Sequence, residues 1–233
     1  MIYGCKKENR FDLFKRTGKQ IIEKRDLDFF NVIDVNDNLD VYLVQDSLCF
    51  AEIKAGKNLV SNIKTKVESN QLIINNNNKY NFTRSYQHKI EIYIHFKQLN
   101  ELIYRGTGAI NSINEIKNNS FTFNSWDGAD TVKLLLDVPV VYANIHTGVA
   151  DLIVQGKSNQ LYAYARGSGT FRMYNFKCQN VYTNNLSSSD HYFYAEKKIE
   201  ALVQYVGNTF CKGNPQEIVK SETNNGKLLI VNE

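Results

Sequence analysis

The feature that most limits how this chain can fold is a small residue recurring at almost constant spacing. Gly108, Gly128, Gly148, Gly169, Ser189 and Gly207 are separated by 20, 20, 21, 20 and 18 positions. Short apolar/polar alternations lie between them: Val132-Leu134-Leu136, Val141-Ala143-Ile145, Leu161-Ala163-Ala165 and Ala201-Val203-Tyr205. A period of this length with two or three strands per repeat predicts a β-solenoid. One coil cannot close its own apolar face; stacked coils can, each strand pairing in parallel with its counterpart one coil away. Glycine suits a corner that needs positive φ, or one where stacked backbones leave no room for a Cβ. Ala143, Ala163, Ala165 and Ala201 fit a narrow interior. The competing architecture is an antiparallel sandwich or barrel with turns every ten residues. The regularity of the column favours the solenoid.

Composition agrees. The 233 residues include 14 Tyr, 13 Phe and 29 Asn, against 2 Pro and 2 Met. Aromatic residues sit well on a pleated surface. Asn competes with helix hydrogen bonds and tolerates turns. Almost no helix is expected. Earlier in the chain, Ile90, Ile92, Ile94 and Phe96 alternate with Glu91, Tyr93 and His95 as a half-buried strand. Leu39, Val41 and Leu43 do the same, and Val67 to Ile74 reads as one strand ended by an Asn75–Asn78 loop. The net charge of +4 is scattered, which argues against nucleic-acid binding. The longest mostly apolar stretch, Leu134 to Ile145, is interrupted by Asp137 and too short to span a bilayer as a helix.

At the amino terminus, Ile2-Tyr3-Gly4-Cys5 resembles the tail of a bacterial lipoprotein signal, with Tyr3 where a small residue is usual. The charged residues after Cys5 suit a tether. An ordinary terminus with an incidental Cys is the alternative; we take Cys5 as a lipid anchor. Residues 1–28 are then anchor, tether and leading strand, and 29–233 a single solenoid domain. Cys49, Cys178 and Cys211 read as buried free thiols, with Cys178–Cys211 the pair most able to bridge in an oxidising compartment.

Three groups of residues carry candidate chemistry. Asp127, Asp130, Asp151 and Asp190 lie beside the glycine column. Stacking would bring Asp130, Asp151 and Asp190 near one stripe, where carboxylates could serve hydrolysis or hold Ca²⁺. Asp also caps corners by accepting backbone N–H bonds, and that reading is preferred. The four His residues, His88, His95, His146 and His191, share no metal-ligand spacing; His88 and His95 are expected at solvent or loops. Trp126, Tyr162/Tyr164 and Tyr192/Tyr194 form either outward platforms for sugars or cross-strand ladders. No cofactor, metal site or catalytic residue is assigned.

The segment Phe29 to Gln45 resembles the opening of the DUF2807 family, called the "putative auto-transporter adhesin, head GIN domain". Leu99 to Ile110, with Gly106-Thr107-Gly108, matches its central signature; Gly167-Ser168-Gly169 repeats that turn, and Gly213-Asn214-Pro215 matches a late element. The likeness covers about residues 29–215. Ser187-Ser188-Ser189 and Val206-Gly207-Asn208 depart from the pattern, so distorted corners are expected there. The resemblance implies a right-handed parallel β-helix of the pectin-lyase kind, secretion in Bacteroidetes-like bacteria, and a non-catalytic adhesive role. The expected location is the outer membrane or cell surface, or its periplasmic face. The partners would be a glycan or protein, the membrane through Cys5, and in one reading a second copy of the chain. Gly106, Gly108, Gly128, Gly148, Gly167, Gly169 and Gly207 are its structural turns. The rival readings are a carbohydrate-active lyase or hydrolase, and a purely structural envelope protein.

Overall fold

A computed structural model describes residues 17–78 and 90–231. Cys5 and His88 lie outside the described residues. The described chain is 63% strand with almost no helix, wound as stacked coils with two walls, here called A and B. Strand β1 (Gln20–Asp26) lies on wall B, β2 (Val32–Val35) on wall A and β3 (Asp40–Gln45) on wall B. Next come β4 (Phe50–Gly56), the one-turn helix α1 (Lys57–Val60), β5 (Ile63–Glu68) and β6 (Gln71–Asn76). The walls then alternate through β7 (Glu91–Phe96), β8 (Glu101–Tyr104) and β9 (Ile110–Ser112). After the short β10 (Ile116–Lys117) follow β11 (Ser120–Ser125), β12 (Thr131–Asp137) and β13 (Val140–Ile145). The strands β14 (Asp151–Ala165), β15 (Phe171–Asn185) and β16 (His191–Val203) each run through both walls, and β17 (Thr209–Lys212), β18 (Glu217–Glu222) and β19 (Leu228–Ile230) close the stack.

From β8 onward the pairing is parallel and serial. Wall A stacks β8, β11, β13, the second halves of β14, β15 and β16, then β18. Wall B stacks β9, β12, the first halves of β14, β15 and β16, then β17 and β19. Register follows the sequence period: Val141 pairs with Leu161, Leu161 with Val181, and Val181 with Ile199. These columns point inward and are buried. The adjacent inward column holds Ala143, Ala163, Thr183 and Ala201. Wall B supplies bulk through Phe171, Met173, Phe176 and Phe193, all fully buried. Burying each such side chain contributes about 2–3 kcal/mol, so the core dominates the fold's stability.

The front of the molecule is not serial. β2 pairs with both β6 and β8, and β3 with both β7 and β9. The first coil is therefore clasped between one built later and the coil that starts the regular stack. Beyond it the pairing turns antiparallel: β7 with β4, β4 with β1, and β5 with β6. Arg25 ties this end together, its guanidinium donating to the Ile63 and Val60 carbonyls at 2.8 and 3.1 Å. The expected single strand from Val67 to Ile74 is instead a hairpin. Ser69 and Asn70 both take positive φ (50° and 62°), the conformation of a tight two-residue hairpin turn, and reverse the chain. The Asn run is also more than a loop. Asn76 lies in β6, and both it and Asn78 are buried, with the Asn78 amide donating to the Leu59 carbonyl at 3.0 Å.

At the corners the backbones stack closely. Gly128 and Gly148 pair across a parallel bridge. The expected column then divides: the Gly148 carbonyl accepts from Ser168 N–H and lies against Gly167, whereas Gly169 sits over Ala150. A Cβ on Gly169 would fall inside the Ala150 carbonyl oxygen, so close approach, not torsion, demands glycine there. Gly148 is the opposite case in part, since its φ is +87°.

Candidate functional site

The acidic residues sort by column. Asp151 and Asp190 open equivalent wall B strands, separated by Thr170; Asp130 stands one position away, because Thr131 is the residue that pairs with Asp151. The predicted three-carboxylate stripe therefore reduces to two. Each accepts the amide one coil on: Thr170 N–H to Asp151 at 3.0 Å and Asn208 N–H to Asp190 at 2.7 Å. Ala109 N–H to Asp40 and Lys227 N–H to Asn208 continue the device at 3.1 and 3.0 Å. Asp151 additionally holds Arg172 at 3.1 Å. Each acid or amide here closes a corner by satisfying a donor that the turn leaves unpaired. No cluster of three metal-ligating side chains occurs among the described residues.

Where the chain lacks its corner glycine, polar side chains fill the space. Ser187, Asn185 and His191 are buried together. The Ser187 hydroxyl lies 3.0 Å from His191 Nε2 and donates to Asn185 Oδ1 at 2.9 Å. The Asn185 amide donates to the Gly207 carbonyl at 3.0 Å. A Ser–His pair at this distance invites a nucleophile reading, but the protons lie the wrong way. His191 Nδ1 accepts the Phe171 N–H at 3.2 Å, so the ring proton sits on Nε2 and points at the serine oxygen. Such a histidine cannot take a proton from that hydroxyl. Burial pushes the His191 pKa down to about 4, keeping the ring neutral. The corner itself stays stacked, with Ser189 Oγ donating to Ser168 O at 2.8 Å; the irregularity falls in the β15–β16 register on wall B. The signal was the Ser187-Ser188-Ser189-Asp190-His191 run, whose pairing only stacking reveals.

The aromatic residues do not form one patch. Tyr162, Tyr164 and Trp126 belong to wall A and its corner, whereas Tyr192 is on wall B, stacked on Phe210 at 5.3 Å. Tyr194 follows two positions along wall B. On wall A, Tyr142, Tyr162 and Tyr182 stack at 5.0 and 4.9 Å with nearly parallel planes. Stacked rings cover each other's faces and turn their edges and hydroxyls outward. This ladder is a cross-strand brace, and its interior rings offer no face to a sugar. His95 likewise packs on Phe50 at 3.9 Å and meets Asp46 at 2.9 Å; it is an inter-strand brace, half-buried, not a loop residue.

The exception is the corner following wall A. Each first corner residue donates its N–H to the last wall A residue one coil back: Trp126 to Tyr104, His146 to Ser125, Arg166 to Ile145. Arg105, Trp126, His146 and Arg166 thus rise one above another. Trp126 and His146 stack at 3.9 Å, and Tyr164 tilts against His146 at 5.7 Å. His146 Nε2 donates to Asn124 Oδ1 at 3.1 Å, and burial lowers the His146 pKa, so its Nδ1 remains an acceptor. Around them lies an open groove of about 510 Å³, lined also by Thr147, Ser168 and the backbone of Gly148 and Gly167. A second groove of about 220 Å³ begins on the other side of Tyr164, between Tyr162, Tyr182 and Leu202. Trp126 is 40% exposed. Of this site, Trp126 and Tyr164 were legible as candidates; Arg166 was visible only as part of a turn. The thiols of Cys49, Cys178 and Cys211 are free, and burial raises the pKa of Cys178 and Cys211.

Comparison with known proteins places this geometry. A crystal structure of a putative adhesin from Bacteroides fragilis superposes with a TM-score of 0.84 at 21% identity, covering 91% of this chain and 97% of its own. A protein from Parabacteroides distasonis described as a putative lipid binding protein gives 0.69 at 19% identity, covering 92% and 97%. A putative adhesin from the same species gives 0.66 at 16%, covering 92% and 98%. At these identities the likeness speaks to fold alone. No curated protein matches the chain. The family model described as "Putative auto-transporter adhesin, head GIN domain" matches residues 29–215, and the chain belongs to that family, DUF2807.

Proposed function

We propose that this chain is a non-catalytic binding head of the cell surface, whose wall A corner engages a glycan or a protein. The observation that carries this reading is a division of labour among the side chains. Asp151 and Asp190, the two carboxylates that share a column, are engaged as backbone caps, while the grooves beside Tyr164 leave aromatic and polar groups open to solvent. Family membership and the adhesin names of the structural neighbours support a surface or secreted protein. Cys5, following Ile2-Tyr3-Gly4 as in the tail of a lipoprotein signal, is proposed as the membrane attachment. Acyl labelling of the native protein, lost in Cys5→Ser, is the expected result for that anchor.

Glycan-array screening combined with an envelope pull-down tests the binding reading. Binding that falls in both Trp126→Ala and Tyr164→Ala, with the fold intact, is expected. The rival is a polysaccharide lyase or hydrolase. Release of reducing or unsaturated ends from a polysaccharide panel, with turnover, would replace the binding reading. Blank results on both arrays and pull-downs would leave a structural envelope component.

A further inference from the structure

We propose that the groove beside Tyr164 is a site for a carboxylated sugar, a uronic or sialic acid, with Arg166 as the carboxylate anchor. The inference rests on the binding reading above and gives it a ligand class. It starts from charge accounting along the wall A corner. Arg105, two coils below His146 in the same rising column, is held by Asp34 at 3.5 Å. On the other wall Arg172 is held by Asp151 at 3.1 Å, and on wall A Lys198 is shared between Glu200 and Glu217 at 3.2 and 2.9 Å. Arg166 is exposed, lines the groove, and makes no ion pair or side-chain hydrogen bond among the described residues.

A guanidinium left open beside aromatic rings is a matched receptor for one chemical pattern. It donates two parallel hydrogen bonds to a planar carboxylate, which a lysine could not do. The neighbouring groups suit the rest of a pyranose. Tyr164 borders both grooves and, unlike the ladder tyrosines, has Asn144 and Asn184 as its register neighbours, so no ring of its own column covers it. Ring hydroxyls would meet His146 Nδ1, the Thr147 and Ser168 hydroxyls and the groove's backbone. Asp127 sets the direction. Its exposed carboxylate follows Trp126, two coils from Arg166, or roughly 10 Å at the usual strand spacing. An acidic sugar is therefore drawn with its carboxylate toward Arg166 and its neutral end toward Trp126.

The test uses the full chain in calorimetric titrations with oligosaccharides ended by glucuronate, galacturonate or sialate, each beside its methyl ester. The ester keeps ring and hydroxyls and removes only the charge. Acid should bind at least about tenfold more tightly than ester for one of these sugars, a size typical of losing a charge-assisted bidentate pair. Arg166→Gln should abolish that difference, and Arg105→Gln should leave it unchanged. The uronate and sialate arms tell which acid the groove takes. Equal binding of acid and ester, an acid preference that survives Arg166→Gln, or no binding of any acid would overturn the proposal. If neutral glycans bind and lose affinity in Trp126→Ala while acid and ester behave alike, this inference fails and the binding head stands. Silence from every glycan and protein partner removes both.

Discussion

The front end and the serial stack obey different rules although they share one core. From β8 onward each coil touches the coil before and the coil after, and the inward columns of wall A continue without a break, while wall B shifts register between β14 and β15 and between β15 and β16. In front, the coil of β2 and β3 is clasped between two coils made later, and antiparallel strands cover the end. A stack with nearest-neighbour contacts loses stability locally, because removing one coil leaves the others paired. A clasped coil cannot leave until its neighbours do. The far end shows what the serial rule leaves behind. Ile218 and Ile230 pair with the buried positions Ile199 and Cys211, yet both are partly exposed because nothing described stacks above them. There Lys220 and Glu222 stack on the buried Ala201 and Val203, and Glu222 accepts the Leu228 N–H at 3.0 Å. Inward charge at a terminal strand discourages further pairing.

The sharpest way to break this contrast is a pair of core truncations. Phe193→Ala and Phe30→Ala should each cost about 4 kcal/mol from transfer and cavity terms. Hydrogen exchange should then separate them: the Phe193 variant loses protection in β16 to β19 while β2 and β3 keep theirs, and the Phe30 variant loses it throughout. Uniform loss in both would mean the two regions are one cooperative unit.

Next in size is acid. His191 titrates near 4 when folded and near its ordinary 6.5 when unfolded. The unfolded chain therefore binds the extra proton first, and stability falls as pH drops from about 6.5 to about 4, by at most about 3 kcal/mol. Above that window the contribution is fully present. Urea midpoints measured across it should show the slope, and His191→Phe should flatten it. Glu222, drawn down to about 2 by the Leu228 N–H, Lys220 and Lys227, loses its contribution only below its ordinary range, so the two windows are separable.

Corner crowding comes third. Gly169→Ala drives a Cβ into the Ala150 carbonyl and should cost about 2 kcal/mol. Gly18→Ala, where φ is +78° and a Cβ comes no nearer than 3.2 Å to the Asn58 side chain, is the less crowded case and should cost about 1 kcal/mol. Equal values by urea denaturation would deny that stacking, beyond torsion, sets the corner. The smallest effect is expected from the ladder: Tyr162→Ser interrupts two ring stacks and should cost about 1 kcal/mol in thermal melts without altering the coil register.

The strand pattern was readable wherever alternation and period coincide. Val141, Leu161 and Val181 announce both their burial and their partners, because a fixed repeat turns sequence distance into stacking distance. In the front, alternation still marks strands such as Leu39-Val41-Leu43, but no period says which coil lies against which. The Val67–Ile74 segment misled because its turn uses Ser69 and Asn70, neither of them glycine. Asp151 and Asp190 cap as their place beside the glycine column predicts, yet Asp130 falls off the stripe by a single residue, a difference that spacing near 20 cannot resolve.

Sequence by itself determined that this chain stacks coils, since only neighbouring repeats can bury faces that recur every 20 residues or so. Tertiary structure alone decided which polar groups remain for a ligand. An arginine in a turn looks the same whether or not a carboxylate reaches it, and whether one does depends on the coils above and below. That is why Arg105 is paired and Arg166 is open.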